Sequence, residues 1–348
     1  MESKFKLQTL IRPNIAAMQP YSSARDEFKE FDKEMVFLDA NENPFGKGLN
    51  RYPDPNQSSL KKSFSKVRGV PSAQILLGNG SDEVLDLIFR AFCEPNVDTI
   101  ITLPPTYGMY KVLANLNAIE NREVLLRKDF QIDTQEVLNA QTANTKLLFV
   151  CSPNNPTGTV FNEEDIKELL CNFNGLVVID EAYIDFSASE SWVSKLSMYP
   201  NLIVTQTLSK AFGMAGIRLG VCYASVEIIS VLNKIKPPYN VNALTQQRAL
   251  EQLGKHSEID SQIRFLKEQR GVLSKALLQL KCIEEIVPSE ANFLLVKVDD
   301  ATKRYQQLIE KGIVVRNRSN QPLCENTLRF TIGTETENKI LIETLKTL

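Results

Sequence analysis

Between residues 74 and 235 short apolar runs alternate with segments of helical period, and no other feature constrains the fold as strongly. The runs Gln74–Leu77, Thr99–Leu103, Lys146–Val150, Leu176–Asp180, Leu202–Gln206 and Arg218–Tyr223 predict strands, with helical patterns such as Asp82–Cys93 and Glu163–Asn172 between them. Parallel neighbours need long crossovers, so strands separated by helices predict an α/β fold with a mainly parallel sheet flanked by helices. After Pro237 and Pro238 a long helical stretch runs from Asn242 to Lys281, with a break expected near Gly254. The remainder, Ile283 to Leu348, reads as strands and two helices, a smaller α+β unit. The expected division is an N-terminal arm over 1–40 packing with the small domain, a large domain over 41–241, and a small C-terminal domain over 242–348.

Forty basic residues stand against 42 acidic ones with no basic block, which argues against nucleic acid as the main partner. The six cysteines show neither a CxxC pair nor metal-ligand spacing, and with His256 as the one histidine a zinc site is not expected. The N-terminal MESKFKLQTL lacks the apolar run of a signal peptide, and no segment is long enough to cross a membrane, so a cytoplasmic enzyme is expected.

The chemistry concentrates where the predicted strands end. Thr207-Leu-Ser-Lys210-Ala-Phe-Gly-Met-Ala-Gly-Ile-Arg218 sets one lysine among small and apolar residues. A poorly solvated lysine loses its proton more readily, and a neutral amine forms a Schiff base with an aldehyde. The hydroxyls of Thr207 and Ser209 and the guanidinium of Arg218 suit a phosphate. Amine and phosphate site together suggest pyridoxal phosphate; a surface lysine at a strand–helix junction is the competing reading.

Gly78-Asn-Gly-Ser-Asp-Glu83 follows one strand and opens a helix, where free amides attract phosphate, although Ser81 could equally be a plain N-cap. Cys151-Ser-Pro-Asn-Asn-Pro-Thr-Gly158 is a rigid turn that would present Asn155 at the carboxyl end of the sheet, with a cis Asn155–Pro156 bond expected. Leu176-Val-Val-Ile-Asp180-Glu-Ala-Tyr183 ends a buried strand with a carboxylate. Asp180 can pair with a pyridinium nitrogen or cap the next element, and Tyr183 can donate to a ring oxygen. Tyr107, in Pro104-Pro-Thr-Tyr107, can stack on a ring or be a half-buried loop aromatic.

With these pieces in order, the chain resembles the fold-type I pyridoxal-phosphate aminotransferases, and among them the histidinol-phosphate subfamily. The resemblance covers nearly the whole chain, from Pro20-Tyr21 to Arg329. It adds Leu38-Asp-Ala-Asn-Glu-Asn-Pro44 and Arg51-Tyr-Pro-Asp-Pro55, which are more particular to the subfamily, to the motifs above. It implies that Lys210 carries the cofactor, Asp180 pairs with the ring nitrogen, Asn155 and Tyr183 contact the ring oxygen, and Tyr107 stacks on the ring. Gly80, Ser81, Asp82, Thr207, Ser209 and Arg218 would hold the cofactor phosphate. Tyr52 would reach that phosphate from a partner subunit, which implies a homodimer. Arg329, Arg316 and Tyr21 would bind the substrate phosphate. The implied reaction moves the amino group of L-histidinol phosphate to 2-oxoglutarate, giving imidazole-acetol phosphate and L-glutamate in histidine biosynthesis. Threonine-phosphate decarboxylation and transamination of aromatic or other amino acids are the alternatives.

Overall fold

The computed structural model describes residues 5–21, 36–46 and 48–348, so part of the expected arm, residues 1–4 and 22–35, lies outside the described residues. Seven strands form the larger sheet: Ile75–Asn79 (β1), Thr99–Thr102 (β2), Glu120–Glu123 (β3), Thr145–Cys151 (β4), Leu176–Asp180 (β5), Leu202–Thr207 (β6) and Leu219–Ala224 (β7). Their order is β1-β7-β6-β5-β4-β2-β3. From β3 to β6 all neighbours pair in parallel, whereas β7 is antiparallel to both β6 and β1.

The strand sequences explain this sheet. Leu77, Ile101, Leu148, Val150, Val177, Ile179 and Val204 point to one face, and Leu76, Ile100, Leu147, Phe149, Val178 and Ile203 to the other. Both faces are buried, which is why these strands read as continuous apolar runs without alternation. The helices Gly80–Phe92 (α3), Met109–Leu116 (α4) and Val226–Ile235 (α7) cover the second face through Val84, Ile88, Tyr110, Leu113, Ile228 and Leu232. Thr134–Ala140 (α5) and Glu163–Asn172 (α6) cover the first through Val137, Ile166 and Leu169, as does Ser58–Arg68 (α2) through Leu60 and Phe64.

The reversal of β7 departs from what the alternation predicts. Only a short 3-10 turn, Ala215–Ile217, lies between Lys210 and β7. Without a crossover helix the chain cannot return to start a parallel strand, so it doubles back. Arg218, read from the sequence as the first residue of that strand, sits just before it in a left-handed turn with φ 55°. The edge strand β3 also escapes the pattern, because its sequence, Glu-Asn-Arg-Glu, carries no apolar run. Charged residues there blunt an open sheet edge.

The smaller sheet is antiparallel, ordered β10-β11-β9-β8, from Ile283–Ile286 (β8), Phe293–Val298 (β9), Arg316–Asn317 (β10) and Thr327–Thr331 (β11). Helices Ala301–Glu310 (α10) and Glu335–Lys346 (α11) cover it through Leu308, Leu341 and Leu345. The long helical stretch is two helices, Ala243–Leu253 (α8) and His256–Leu277 (α9), which meet at Gly254 and Lys255. Ala249, Leu253 and Ile259 belong to the larger core and Leu273 and Leu277 to the smaller one. The two cores therefore divide within α9 rather than at residue 242: its 22 residues span about 33 Å, long enough to serve both.

The described arm includes Pro13–Ala17 (α1), and it packs on the larger body, not on the small sheet. Leu10, Ile11 and Ile15 join the core beneath α3 and α7, and Arg12 binds Glu94 at 3.1 Å. Among the described residues no helix is long and apolar enough to cross a membrane.

Candidate active site

A cavity of about 530 Å³ opens at the carboxyl ends of β4, β5 and β6, where an open α/β sheet binds its ligands. It is lined by Ser81, Asp82, Tyr107, Asn155, Asp180, Tyr183, Thr207, Ser209, Lys210, Arg218, Arg316 and Arg329, so most of the sequence-derived residues come together here. Gly80 lies directly behind Arg218. Tyr21 and Tyr52 do not line the cavity: Tyr21 is exposed, and Tyr52 stacks on Tyr239, ring centroids 4.5 Å apart, beside a separate depression.

The floor is Asp180, the last residue of β5, which is 2% exposed. Burial pushes its carboxyl pKa up, while hydrogen bonds oppose the shift. The Tyr110 hydroxyl donates to Oδ2 at 2.7 Å, and the Ala182 amide to Oδ1 at 3.3 Å. Tyr110 is fully buried on α4, stacked on Phe149 with centroids 4.8 Å apart and edge-on to Tyr107 at 5.6 Å. Tyr107 is half-buried and donates to Asp82 Oδ1 at 3.1 Å, so its ring is held at the cavity wall.

The loop after β4 contains cis bonds at Ser152–Pro153 and at Asn155–Pro156, the second as expected. Buried Asn154 ties this loop to its neighbour, donating from Nδ2 to the Pro105 carbonyl at 2.8 Å and to Thr157 Oγ1 at 2.9 Å. Asn155 is thereby set at the cavity with its amide orientation fixed. Its Oδ1 accepts from Arg329 Nη1, so Nδ2 is the donor that faces the Tyr183 hydroxyl, at 3.5 Å.

Lys210 sits in the loop after β6. Thr207 Oγ1 accepts from the Ser209 amide at 3.1 Å and donates to the Leu219 carbonyl at 3.3 Å, fastening that loop to the start of β7. The lysine Nζ lies 5.7 Å from the centroid of the Tyr183 ring. Its pKa is lowered, by desolvation first and then by Arg329 and Arg218, against an opposing pull from Asp180 and Asp82.

The first turn of α3 forms the adjoining wall. Gly80 adopts φ +78°, and a Cβ there would stand 2.7 Å from Arg218 Nη2. Asn79, the N-cap, offers its helix no side-chain hydrogen bond. Arg218 Nη2 lies 3.5 Å from Asp82 Oδ2, which keeps the guanidinium at the helix end. Behind it Gly220 of β7 packs directly on the backbone; a Cβ there would be 2.3 Å from the Gly80 carbon and the Ser81 nitrogen.

The small sheet supplies the remaining wall. Arg316 and Arg329 face each other in the β10–β11 register, and Arg318 and Gln321 also bear on the site, as do Met109 and Cys151 from the larger body. Tyr110 and Arg318 are additions to the sequence-derived set. The spacing of Tyr107 and Tyr110, one helical turn apart, and of Arg316 and Arg318, on one strand face, are the available signals. Counted together, five cations (Lys210, Arg218, Arg316, Arg318, Arg329) face two carboxylates, Asp82 and Asp180.

A strand-end lysine and buried carboxylate, at the edge of this sheet and its small antiparallel companion, define a class of enzyme. The chain belongs to the aminotransferases of class I and II, whose family model, "Aminotransferase class I and II", matches residues 30–345. It is 64% identical over 345 residues to the histidinol-phosphate aminotransferase of Flavobacterium johnsoniae, covering 99% of each chain. Within the class it falls in the histidinol-phosphate aminotransferase family. Its fold is similar to the crystal structure of the histidinol-phosphate aminotransferase from Clostridium acetobutylicum, with TM-score 0.80 and 26% identity over 86% of this chain and 90% of that one. The enzyme from Sinorhizobium meliloti, solved in complex with pyridoxal-5'-phosphate, shares the fold at TM-score 0.78 and 21% identity over 86% of this chain and 83% of that one.

Proposed function

We propose that this protein binds pyridoxal phosphate and transfers the amino group of L-histidinol phosphate to 2-oxoglutarate, yielding imidazole-acetol phosphate and L-glutamate in histidine biosynthesis. The observation that carries the reading is one cavity holding a lysine of lowered pKa, a buried carboxylate and an excess of cations suited to phosphate.

The residues present fit the cofactor. A desolvated carboxylate such as Asp180 gains most from a cationic partner, which a protonated ring nitrogen provides. The uncapped first turn of α3, left bare at Gly80 and backed by Arg218, suits a phosphate. When bound, the cofactor supplies an aldehyde that exchanges amines and a ring that accepts the electron pair released at the substrate Cα.

Lys210 would hold the cofactor through its aldehyde carbon. As a free amine it would take the proton from the substrate Cα and deliver it to the cofactor's C4′. Its lowered pKa favours the neutral base that this needs. Asp180 keeps the ring nitrogen protonated, with Tyr110 holding its Oδ2 in place. The Asn155 amide and Tyr183 hydroxyl would donate to the ring oxygen, and Tyr107 would cover one face. Gly80, Ser81, Asp82, Thr207, Ser209 and Arg218 hold the cofactor phosphate. Arg316 and Arg329 would bind the substrate phosphate, whereas Tyr21, exposed and outside the cavity, has no support for that role.

The reading includes a homodimer in which Tyr52 serves the partner's cavity. Exposed Leu38, Phe45, Leu49 and Leu244 lie along the same segments and support a partner surface there. Sedimentation at micromolar concentration should give twice the chain mass; a monomer with full activity would remove Tyr52 from the site.

The deciding experiment is a single-turnover absorbance scan of the protein loaded with pyridoxal phosphate. Histidinol phosphate alone should discharge the long-wavelength absorbance, and 2-oxoglutarate should restore it. An unchanged spectrum with histidinol phosphate would overturn the substrate assignment, and threonine phosphate with a carbon dioxide assay would follow.

A further inference from the structure

The cavity wall formed by β10 and β11 carries more positive charge than gripping one carboxylate requires. Arg316 stands directly opposite Arg329 in the antiparallel register. Arg318 continues the same ribbon, its amide donating to the Thr327 carbonyl at 2.9 Å, and two residues on from Arg316 it returns to the same face. Like charges set opposite one another in a sheet repel. Among the described residues none of the three makes a salt bridge, and Nε of both Arg318 and Arg329 is buried with no hydrogen-bond partner. The guanidinium of Arg318 is also destabilised as a cation by burial and by Arg329 and Arg316 beside it. A ribbon that keeps three cations this close, without a carboxylate, is matched to a ligand of more than one negative charge.

We infer that Arg318 is a specificity-determining residue that makes this wall prefer a phosphate monoester to a carboxylate. The inference rests on the reading that one of the two substrates carries such an ester. A phosphate monoester near neutral pH bears a charge of about −1.5 to −2 on three acceptor oxygens, whereas a carboxylate bears one charge on two. Two guanidinium forks saturate a carboxylate; the third finds a partner only on the larger, more highly charged group. The two half-reactions present these two kinds of anion to the same cavity in turn, so the preference is measurable within one enzyme.

The test uses the loaded enzyme and the variants Arg318→Gln and Arg318→Lys. In Arg318→Gln the KM for histidinol phosphate should rise roughly tenfold or more, as expected for loss of a charge-assisted hydrogen bond, while that for 2-oxoglutarate should rise less than about threefold. Arg318→Lys keeps the charge but not the fork, and should fall between Arg318→Gln and the parent. Equal rises for both substrates, or no rise, would overturn the inference. Calorimetric titration with inorganic phosphate and, separately, with 2-oxoglutarate reads the same preference without turnover. Phosphate should bind roughly tenfold more weakly to Arg318→Gln, with 2-oxoglutarate little changed. If the parent enzyme ignores histidinol phosphate, the proposed function fails on its own, and the titration still decides the role of Arg318. Should Arg318→Gln not fold, the titration of Arg318→Lys decides: unchanged phosphate affinity would overturn the inference.

Discussion

Replacing Tyr110 by Phe removes one hydroxyl and leaves the ring's stacking on Phe149 and its edge contact with Tyr107 intact. That hydroxyl is the 2.7 Å donor to Asp180 Oδ2, in a fully buried setting. A hydrogen bond to a charged group contributes about 1.5–3 kcal/mol, and one between neutral groups about 0.5–1.5 kcal/mol. Burial raises the Asp180 pKa, so the folded protein holds that proton more tightly than the unfolded chain does. The resulting contribution to stability is fully present below the unfolded pKa and is lost as pH rises through the folded one. Tyr110 reduces this loss by favouring the carboxylate. In Tyr110→Phe the folded pKa of Asp180 should therefore climb further. Urea unfolding of the cofactor-free protein, at fixed protein concentration, should show the variant about 1.5–3 kcal/mol less stable at pH values above the folded pKa of Asp180. The gap should shrink by about 1 kcal/mol once the pH falls below the folded pKa and the bond becomes a neutral one. A double-mutant cycle with Asp180→Asn isolates the pair. A penalty that is independent of pH and persists unchanged when Asp180→Asn is already present would refute the coupling, and with it the positioning role given to Tyr110.

Three further outcomes follow from the same geometry. Lys210→Ala should cut turnover at least about a thousandfold while the protein still binds cofactor, measured by assay and by fluorescence titration; appreciable activity would dismiss Lys210 as the base. Gly220→Ala drives a Cβ to 2.3 Å from the Gly80 carbon and the Ser81 nitrogen, where only backbone can give, so thermal unfolding should report a loss of about 3 kcal/mol. An unshifted melting curve would show that α3 and β7 are not packed as described. Glu181, buried and bonded to Ser191 Oγ, the Trp192 amide and Gln206 Nε2, is pushed up to about 6 by burial. Its contribution is complete below about pH 4.5 and disappears as pH rises through 6, on the order of 2 kcal/mol. Glu181→Gln should flatten that stretch of the stability–pH curve; the same slope in the variant would place the titration elsewhere.

How much of this can be read from the sequence depends on whether the determinant is local. Asp180 ends an unbroken apolar run, and Asn155 lies between two prolines after another. Strand and turn are both signalled within ten residues, and the sheet then brings their ends together through parallel register: Cys151 stands beside Asp180, and Asp180 beside Thr205. Tyr110 and Arg318 give no such signal. A tyrosine on an amphipathic helix reads as core, and an arginine near a strand end reads as surface. Their meaning comes from partners 70 residues away for Tyr110 and on an adjacent strand for Arg318. The reversal of β7 is only partly legible: the apolar pattern of 202–224 does not state which way the second strand runs, and the signal is that the connection from Thr207 to Leu219 has no crossover helix. The reversal nevertheless does the positioning that joins the lysine loop to the phosphate-binding turn. It carries Gly220 across to the backbone of Gly80 and Ser81, and Leu219 to Leu208 and Thr207. Within the strand itself the trace it leaves is a glycine among apolar residues, one that weakens a strand unless another backbone must pass close by.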